Sequence, residues 1–357
     1  MLSTTIRGLC LALALALLPS PAPARFSLSR SGASIQLKDS ASGMTVSIAA
    51  PECNAYEVSV KGQQLIRQTF ADLTAFQARP GLSGIPLLAP FANRLDEQAF
   101  WANGTRYAFD MSLGNVRGNI PIHGFLSGAK DWTITESGAD DSAARVSCSL
   151  DFYTHPAWMK QFPFAHAMTR TYRLAADGLE VGFALDNLST DPMPVSIGFH
   201  PYFQVTDSPR DDWTLSVPAR LHYLLAPNKI PTGETEAIEK MFPDPKNVAV
   251  KDFELDDVFG DLVRDARGRA SVLYRGKSQQ IEVQLGPNYK CLVLYSPKPR
   301  PDGNNPERAG NGYVAIEPMA GITDSMNLAH KGLYKELQSI APGGHWQESF
   351  WIRASGY

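Results

Sequence analysis

Apolar and polar residues alternate along most of this chain. Met44, Val46 and Ile48 alternate with Thr45 and Ser47, and Tyr56, Val58 and Val60 continue the pattern. Val146, Cys148, Leu150 and Phe152 repeat it, as do Leu179, Val181, Phe183 and Leu185, and then Ile281, Val283 and Leu285. A period of two places alternate side chains on opposite faces of an extended strand, so these segments predict half-buried antiparallel strands. Between the runs stand Asp39-Ser40-Ala41-Ser42-Gly43, Asn103-Gly104, Ala176-Asp177-Gly178 and Pro301-Asp302-Gly303-Asn304-Asn305. These residue types tolerate positive φ and bond to their own backbone, which makes them turns. Helical periodicity is nearly absent; the best candidate is a short turn around Leu333 to Leu337. With no internal repeat, heptad or low-complexity linker, the pattern predicts one all-β domain over residues 25–357. Strands this numerous must pack sheet on sheet or close into a barrel.

The beginning of the chain departs from this pattern. Arg7 precedes an apolar run from Leu9 to Leu18, and Ala22-Pro23-Ala24 follows with small, helix-breaking residues. That is the layout of a secretory signal peptide, with cleavage expected before Arg25. The run has ten residues, where a membrane-spanning helix needs about 20. Residues 1–24 are therefore expected to be removed, leaving a periplasmic or secreted protein with no membrane attachment.

Composition narrows the partners. Of 357 residues 44% are hydrophobic, and 33 Lys plus Arg face 36 Asp plus Glu for a net charge of −3. Such a chain has no basic excess to draw it to a phosphate backbone or an anionic lipid surface, which argues against nucleic acid as a partner. Loss of Cys10 with the leader leaves Cys53, Cys148 and Cys291, widely spaced and without a CxxC. No disulfide framework or thiolate zinc site is indicated. Cys148 and Cys291 read as small buried apolar residues, although one pair could form in an oxidising compartment.

Polar residues that interrupt apolar runs are the candidates for chemistry, because a strand end holds a side chain in a fixed orientation. Phe91-Ala92-Asn93-Arg94 follows an apolar stretch, and Pro121-Ile122-His123-Gly124 lies before Trp132. Ile197-Gly198-Phe199-His200-Pro201-Tyr202-Phe203 and Tyr313-Val314-Ala315-Ile316-Glu317-Pro318 each set one ionisable group in an apolar frame. Glu254-Leu255-Asp256-Asp257-Val258-Phe259 offers carboxylates among aromatic and aliphatic neighbours. Each has a structural alternative: Arg94 pairing with Asp96 or Glu97 on a surface loop, His123 satisfied at a turn, Glu317 facing solvent at a strand end. Pro201 fixes the backbone after His200, and Tyr202 and Phe203 can wall a sugar-sized pocket. His155, His166, His222, His330 and His345 lie in loop-like or polar settings that suggest no chemistry.

Taken in order, these segments resemble the aldose 1-epimerase, or galactose mutarotase, family over most of the chain after the leader. The resemblance rests on Pro90-Phe91-Ala92-Asn93-Arg94, Phe100, Asn103 to Tyr107, Asn115, His123-Gly124 and Trp132. It continues through His200-Pro201-Tyr202-Phe203, the most specific element, then Leu255 to Phe259, Ile316-Glu317-Pro318, Asp324-Ser325-Met326-Asn327 and Ala341-Pro342-Gly343-Gly344. Three positions depart from the family pattern: Gln98 replaces a glycine, Asp257 stands where histidine is common, and Met319 replaces a frequent glutamine. None is a catalytic group.

The resemblance implies a large antiparallel β-sandwich of the galactose mutarotase type, taking a small-molecule sugar as substrate and requiring no metal or organic cofactor. It implies Glu317 as base and His200 as acid, with Arg94, His123, Asp256, Asn93 and Tyr202 binding the sugar. Such a pair is chemically sufficient, since exchanging anomers needs only a proton taken from the C1 hydroxyl and one given to the ring oxygen. A carboxylate with an ordinary pKa of about 4.3 is ionised at neutral pH, and a histidine near about 6.5 can be held protonated by neighbouring carboxylates. Alternatives are a non-catalytic carbohydrate-binding module, a hexose-6-phosphate 1-epimerase and a metal hydrolase. The last lacks any HxH or HExxH spacing. Monomer and dimer both remain open.

Overall fold

A computed structural model describes residues 24–113, 115–298 and 312–357. The leader up to residue 23 and the turn expected at Pro301 to Asn305 lie outside the described residues. Strands dominate, and the alternation read from the sequence is realised in burial. Along His166–Ala175 and its partner Gly178–Asn187, every second side chain enters the core while those between stay partly exposed. Ala176 and Asp177 make the turn that joins them.

Among the described residues, two large antiparallel sheets form the body of the fold. One has nine strands, running from Thr133–Ala139 at one edge through His345–Ser355 near its middle to Val248–Ala249 at the other edge. The second has eight, ordered Pro231–Ala237, Ala219–Leu225, Leu255–Leu262, Cys291–Ser296, Val314–Met319, Gly198–Phe199 and Leu87–Leu88, with Tyr202–Phe203 also paired to Val314–Met319. Leu255, Phe259, Leu294 and Ile316 of this sheet join Val181, Val283, Phe350 and Ile352 of the other in one buried cluster. The architecture is thus a sandwich, and burial of these apolar faces is its main source of stability. A five-stranded meander from Phe26–Ser31 to Gln63–Gln64 adds its inward residues to the same core.

The register of the eight-stranded sheet fixes the site. Gly198 pairs with Met319 and Tyr202 with Ala315, so His200 comes opposite Glu317 on the central strand. On the far side of that strand Val293 pairs with Glu317, and Asp256 with Tyr295. Because side chains alternate, Asp256, Tyr295, Tyr202, His200 and Glu317 share one face of this sheet. At Gly198 an added Cβ would stand 2.0 Å from Met319 Sδ and 3.0 Å from Pro318 O, so a side chain there would displace that of Met319.

Several expectations require correction. The predicted turn around Leu333 to Leu337 is not helical; the helix is Ser325–His330, and the other two described are Leu73–Ala78 and Pro156–Gln161. Gly332, with φ of 75°, ends Ser325–His330, and the amides of Leu333 and Tyr334 fold back onto Leu328 O. The fourfold spacing of Leu333 and Leu337 therefore reflects a capped helix end leaving in extended form. Phe152 lies just past the strand Ala143–Asp151, in a short 3-10 turn, though still buried. Cys148 is not a free thiol: it forms a disulfide with Cys53, with Cα atoms 6.3 Å apart across 95 residues of sequence. Cys291 is free and buried. His166 also differs from its reading as loop-like or polar, since it lies on a strand and is buried, whereas His222, likewise on a strand, does sit in a polar setting, its ring between two carboxylates.

Candidate functional site

Loops bring three further residues over the face that carries Glu317. The amide of His123 donates to Asn93 O at 2.8 Å, and Arg94 forms a bridge with Ile122, which locks two distant segments together. Asn93 and His123 both occupy the left-handed region, with φ of 56° and 63°. Conformations of this kind cost energy in non-glycine residues and persist where surrounding structure imposes them, frequently at functional sites. Beside them Gly124 has φ of 58°, and a Cβ there would lie 2.0 Å from Ala89 O, so glycine is required for this approach.

The second loop is held from below. Asp324, at the start of the helix Ser325–His330, accepts the Asp96 amide at 2.9 Å, and Asn327 Nδ2 donates to Ala99 O at 2.8 Å. These bonds clamp the chain immediately after Arg94. Asp96 and Glu97 pair with Lys331, at 3.4 and 3.1 Å, and not with Arg94. Arg94 instead turns inward, its Nη2 lying 3.4 Å from Asp256 Oδ2.

The result is a cavity of about 50 Å³ lined by Asn93, Arg94, His123, His200, Tyr202, Asp256 and Glu317, together with Leu82, Arg117, Ile122 and Tyr295. At its floor His200 Nε2 lies 3.0 Å from Glu317 Oε1. The His123 ring meets that of His200 edge-on at 5.3 Å, and Tyr202 stacks on His200 at 4.5 Å. Asn93 Nδ2, His123 Nδ1, His200 Nδ1 and Glu317 Oε2 are buried polar atoms with no hydrogen-bond partner among the described residues. Four such atoms around one cavity form a site built for a polar ligand, since buried polar groups otherwise find partners within the fold.

Electrostatics assign the protons differently from the sequence reading. Burial, reinforced by the charge of Asp256, pushes Glu317 well above the usual carboxylate range. Burial also pulls His200 down to about 3, with Arg117 and Arg94 adding to the shift. His123 is depressed by burial and then by His200, Arg94 and Arg117. The buried pair therefore holds one proton, favoured on Glu317 in the ligand-free protein, where the sequence suggested an ionised Glu317 facing a protonated His200. The cause is the completeness of burial: Glu317 is 1% exposed and His200 5%, and low-dielectric surroundings disfavour both charged forms.

All seven residues singled out from the sequence line this one cavity. Four further liners were not singled out, among them Ile122 beside His123. Arg117 sits on the two-residue strand Val116–Arg117, too short to show periodicity, while Tyr295 and Leu82 read as ordinary apolar-run and loop residues. Asp257, the departure beside Asp256, belongs to the opposite face of the strand. Its carboxylate accepts the Asp256 amide at 3.0 Å and lies 3.2 Å from His222 Nε2, while His222 Nδ1 lies 3.1 Å from Glu236. It thus braces the cavity-lining Asp256 from behind. Among the described residues no three His, Cys, Asp or Glu side chains gather in a way that could hold a metal ion, and no helix is long and apolar enough to cross a membrane.

Comparisons with known proteins bear on family and fold. The aldose 1-epimerase family model matches residues 34–353. An uncharacterised Escherichia coli protein, YihR, is 26% identical over 296 residues, covering 80% of this chain and 87% of its own. Among solved structures, a galactose mutarotase-like protein from Clostridium acetobutylicum superposes with a TM-score of 0.75 at 23% identity, covering 91% of this chain and 96% of its own. A galactose 1-epimerase from Lactobacillus acidophilus gives a TM-score of 0.70 at 16% identity, covering 91% and 95%.

Proposed function

The chain belongs to the aldose 1-epimerase family, and from that premise we propose that it interconverts the α and β anomers of a free aldohexose by acid–base ring opening and closure. The observation that carries this reading is the 3.0 Å contact between His200 and Glu317, in a cavity that surrounds them with hydroxyl-binding groups. A ring-opening step needs two proton transfers at neighbouring oxygens of one acetal carbon. A single shared proton between two adjacent groups supplies both.

With the C1 hydroxyl donating to Glu317, the carboxylate form is favoured and the shared proton moves to His200. Glu317 then removes the hydroxyl proton as His200 protonates the ring oxygen, and the C1–O5 bond breaks to give the open aldehyde. After rotation about C1–C2 the C5 hydroxyl attacks the other carbonyl face, returning its proton to His200. Glu317 gives its proton back to the carbonyl oxygen. The enzyme ends as it began. Positioned acid–base groups of this kind contribute roughly 10²–10⁴-fold. Arg94 and Asp256 orient hydroxyls and balance charge near the ring oxygen, Asn93 and His123 present polar atoms to the sugar, and Tyr202 covers an apolar face of the ring.

Export to an oxidising compartment completes the proposal. It rests on the Arg7, apolar-run and Ala22-Pro23-Ala24 pattern, and the Cys53–Cys148 disulfide supports it.

The test is NMR anomer exchange or polarimetry on freshly dissolved glucose, galactose and xylose. Exchange above the buffer rate for at least one sugar is expected. Sugar binding with exchange fixed at the buffer rate would make the protein a carbohydrate-binding module.

A further inference from the structure

Behind the cavity a polar cluster spans three strands of the eight-stranded sheet. His222, on Ala219–Leu225, is 9% exposed and lies between two carboxylates. Its Nδ1 is 3.1 Å from Glu236 Oε1 on Pro231–Ala237, and its Nε2 is 3.2 Å from Asp257 Oδ1 on Leu255–Leu262. Ionised carboxylate oxygens only accept hydrogen bonds, so both ring nitrogens must donate, and the ring that satisfies both contacts is the imidazolium. Burial opposes that charge, but the hydrogen bonds and charges of Asp257 and Glu236 outweigh it and raise His222 above its ordinary value. Burial pushes Asp257 upward and is outweighed in turn by His222, the Asp256 amide and Lys229, which hold its carboxyl below the usual range.

The cluster stands where the sheet gives Asp256 least support. Leu255–Leu262 pairs with Cys291–Ser296 from Leu255 to Phe259, whereas among the described residues its pairing with Ala219–Leu225 runs only from Leu262 to Phe259. Toward Asp256 the strand thus has a backbone ladder on one side. Side chains take over on the other: Asp257 Oδ2 accepts the Asp256 amide at 3.0 Å, and His222 holds the second oxygen of the same carboxylate. The contacts run without a break from Glu236 through His222 and Asp257 to Asp256, whose Oδ2 lies 3.4 Å from Arg94 Nη2 at the cavity.

We propose that His222 is a positioning residue for sugar binding, its imidazolium fixing Asp257 and through it the backbone of Asp256, so that the Asp256 carboxylate meets the sugar hydroxyls in one orientation. The inference rests on the epimerase reading in taking Asp256 as a hydroxyl-binding group. A neutral amide at position 222 removes the charge shared by the two carboxylates and frees Asp257 from one of its two tethers. Charge-assisted hydrogen bonds of this kind are the stronger ones, so their loss should be felt one residue away.

Saturation kinetics of anomer exchange at about pH 6, just below the ordinary histidine value, test the role. His222→Gln should raise KM about fivefold and leave kcat within about twofold. In Asp256→Ala protein the same substitution should add less than about 1.5-fold, because its effect passes through the missing carboxylate. A measurement on the unaltered protein does not depend on any variant folding: nitrogen-15 NMR should show protons on both His222 ring nitrogens at neutral pH, with the ring titrating above about 6.5. A neutral His222 ring, or a fivefold loss that persists in full without the Asp256 side chain, overturns the proposal. If sugar is exchanged and KM is unchanged in His222→Gln, the positioning role fails and the epimerase stands. If no sugar is exchanged but calorimetric affinity for glucose, galactose or xylose falls about fivefold in His222→Gln, the epimerase reading fails and the positioning role stands.

Discussion

His200 Nε2 lies 3.0 Å from Glu317 Oε1, and no other ionisable side chain stands between them. Since burial raises Glu317 and lowers His200, the pair carries one proton over a wide neutral range. The rate should therefore form a broad plateau against pH. It should fall on the acid side as His200, displaced to about 3, takes up a second proton. On the alkaline side it should fall as the raised carboxyl of Glu317 loses the shared one. A pH profile of kcat/KM for anomer exchange checks this; a narrow bell centred on the ordinary values of a free glutamate and histidine would contradict it.

Glu317→Gln keeps shape and hydrogen bonding but removes the proton-accepting oxygen. Exchange should drop by roughly 10²-fold or more with little change in sugar affinity. His200→Asn should act similarly, and the double variant should be little worse than the poorer single one, because the two share one proton. Saturation kinetics together with calorimetry distinguish loss of turnover from loss of binding.

Asp256 raises Glu317 through its charge, whereas Arg94 lowers it. Asp256→Asn should therefore move the alkaline limb of the rate profile to lower pH, and Arg94→Ala should move it to higher pH. Both should raise KM more than they lower kcat, since in the proposed reaction each orients sugar hydroxyls and neither exchanges a proton with the substrate. The opposed limb shifts are a readout that simple loss of hydroxyl contacts would not produce.

The Cys53–Cys148 bridge closes a loop of 95 residues; disulfides typically stabilise by about 2–4 kcal/mol, and the loss of unfolded-chain entropy puts loops this long near the upper end. Reduction, or Cys53→Ser with Cys148→Ser, should lower the urea midpoint accordingly while leaving exchange kinetics unchanged, as neither cysteine lines the cavity. Intact mass of protein taken from its native host should show a chain beginning at or near Arg25 with this bond formed. A full-length, reduced chain would remove the case for export.

How much of this was legible beforehand depends on whether a feature is local. His200 and Glu317 stood out because each is an ionisable residue within an apolar run of sequence, and register then brings them together. Arg117 did not stand out, because its position over the site comes from the Asn93–His123 and Ala89–Gly124 contacts between distant loops. Asp256 and Asp257 are adjacent in sequence yet face opposite sides of the sheet, and only pairing with Tyr295 and Leu294 decides which one lines the cavity. The proton assignment was misread for a related reason. It depends on complete enclosure between the eight-stranded sheet and the loops over it, which no stretch of sequence reports. The cysteine pair likewise became visible only when the loop carrying Cys53 was folded against the strand Ala143–Asp151.

Gly124 touches no sugar in the proposed reaction, yet any side chain there would collide with the Ala89 backbone and press apart the segments that carry Asn93 and His123. In a saturation-mutagenesis library selected for turnover, this silent position should be as intolerant as the proton-transferring residues themselves, and Gly198, where a Cβ would displace the Met319 side chain and stand 3.0 Å from Pro318 O, should follow it. An engineer seeking a new sugar preference would therefore leave the two glycines fixed and diversify the walls instead, where change alters what is held without altering the frame that holds it.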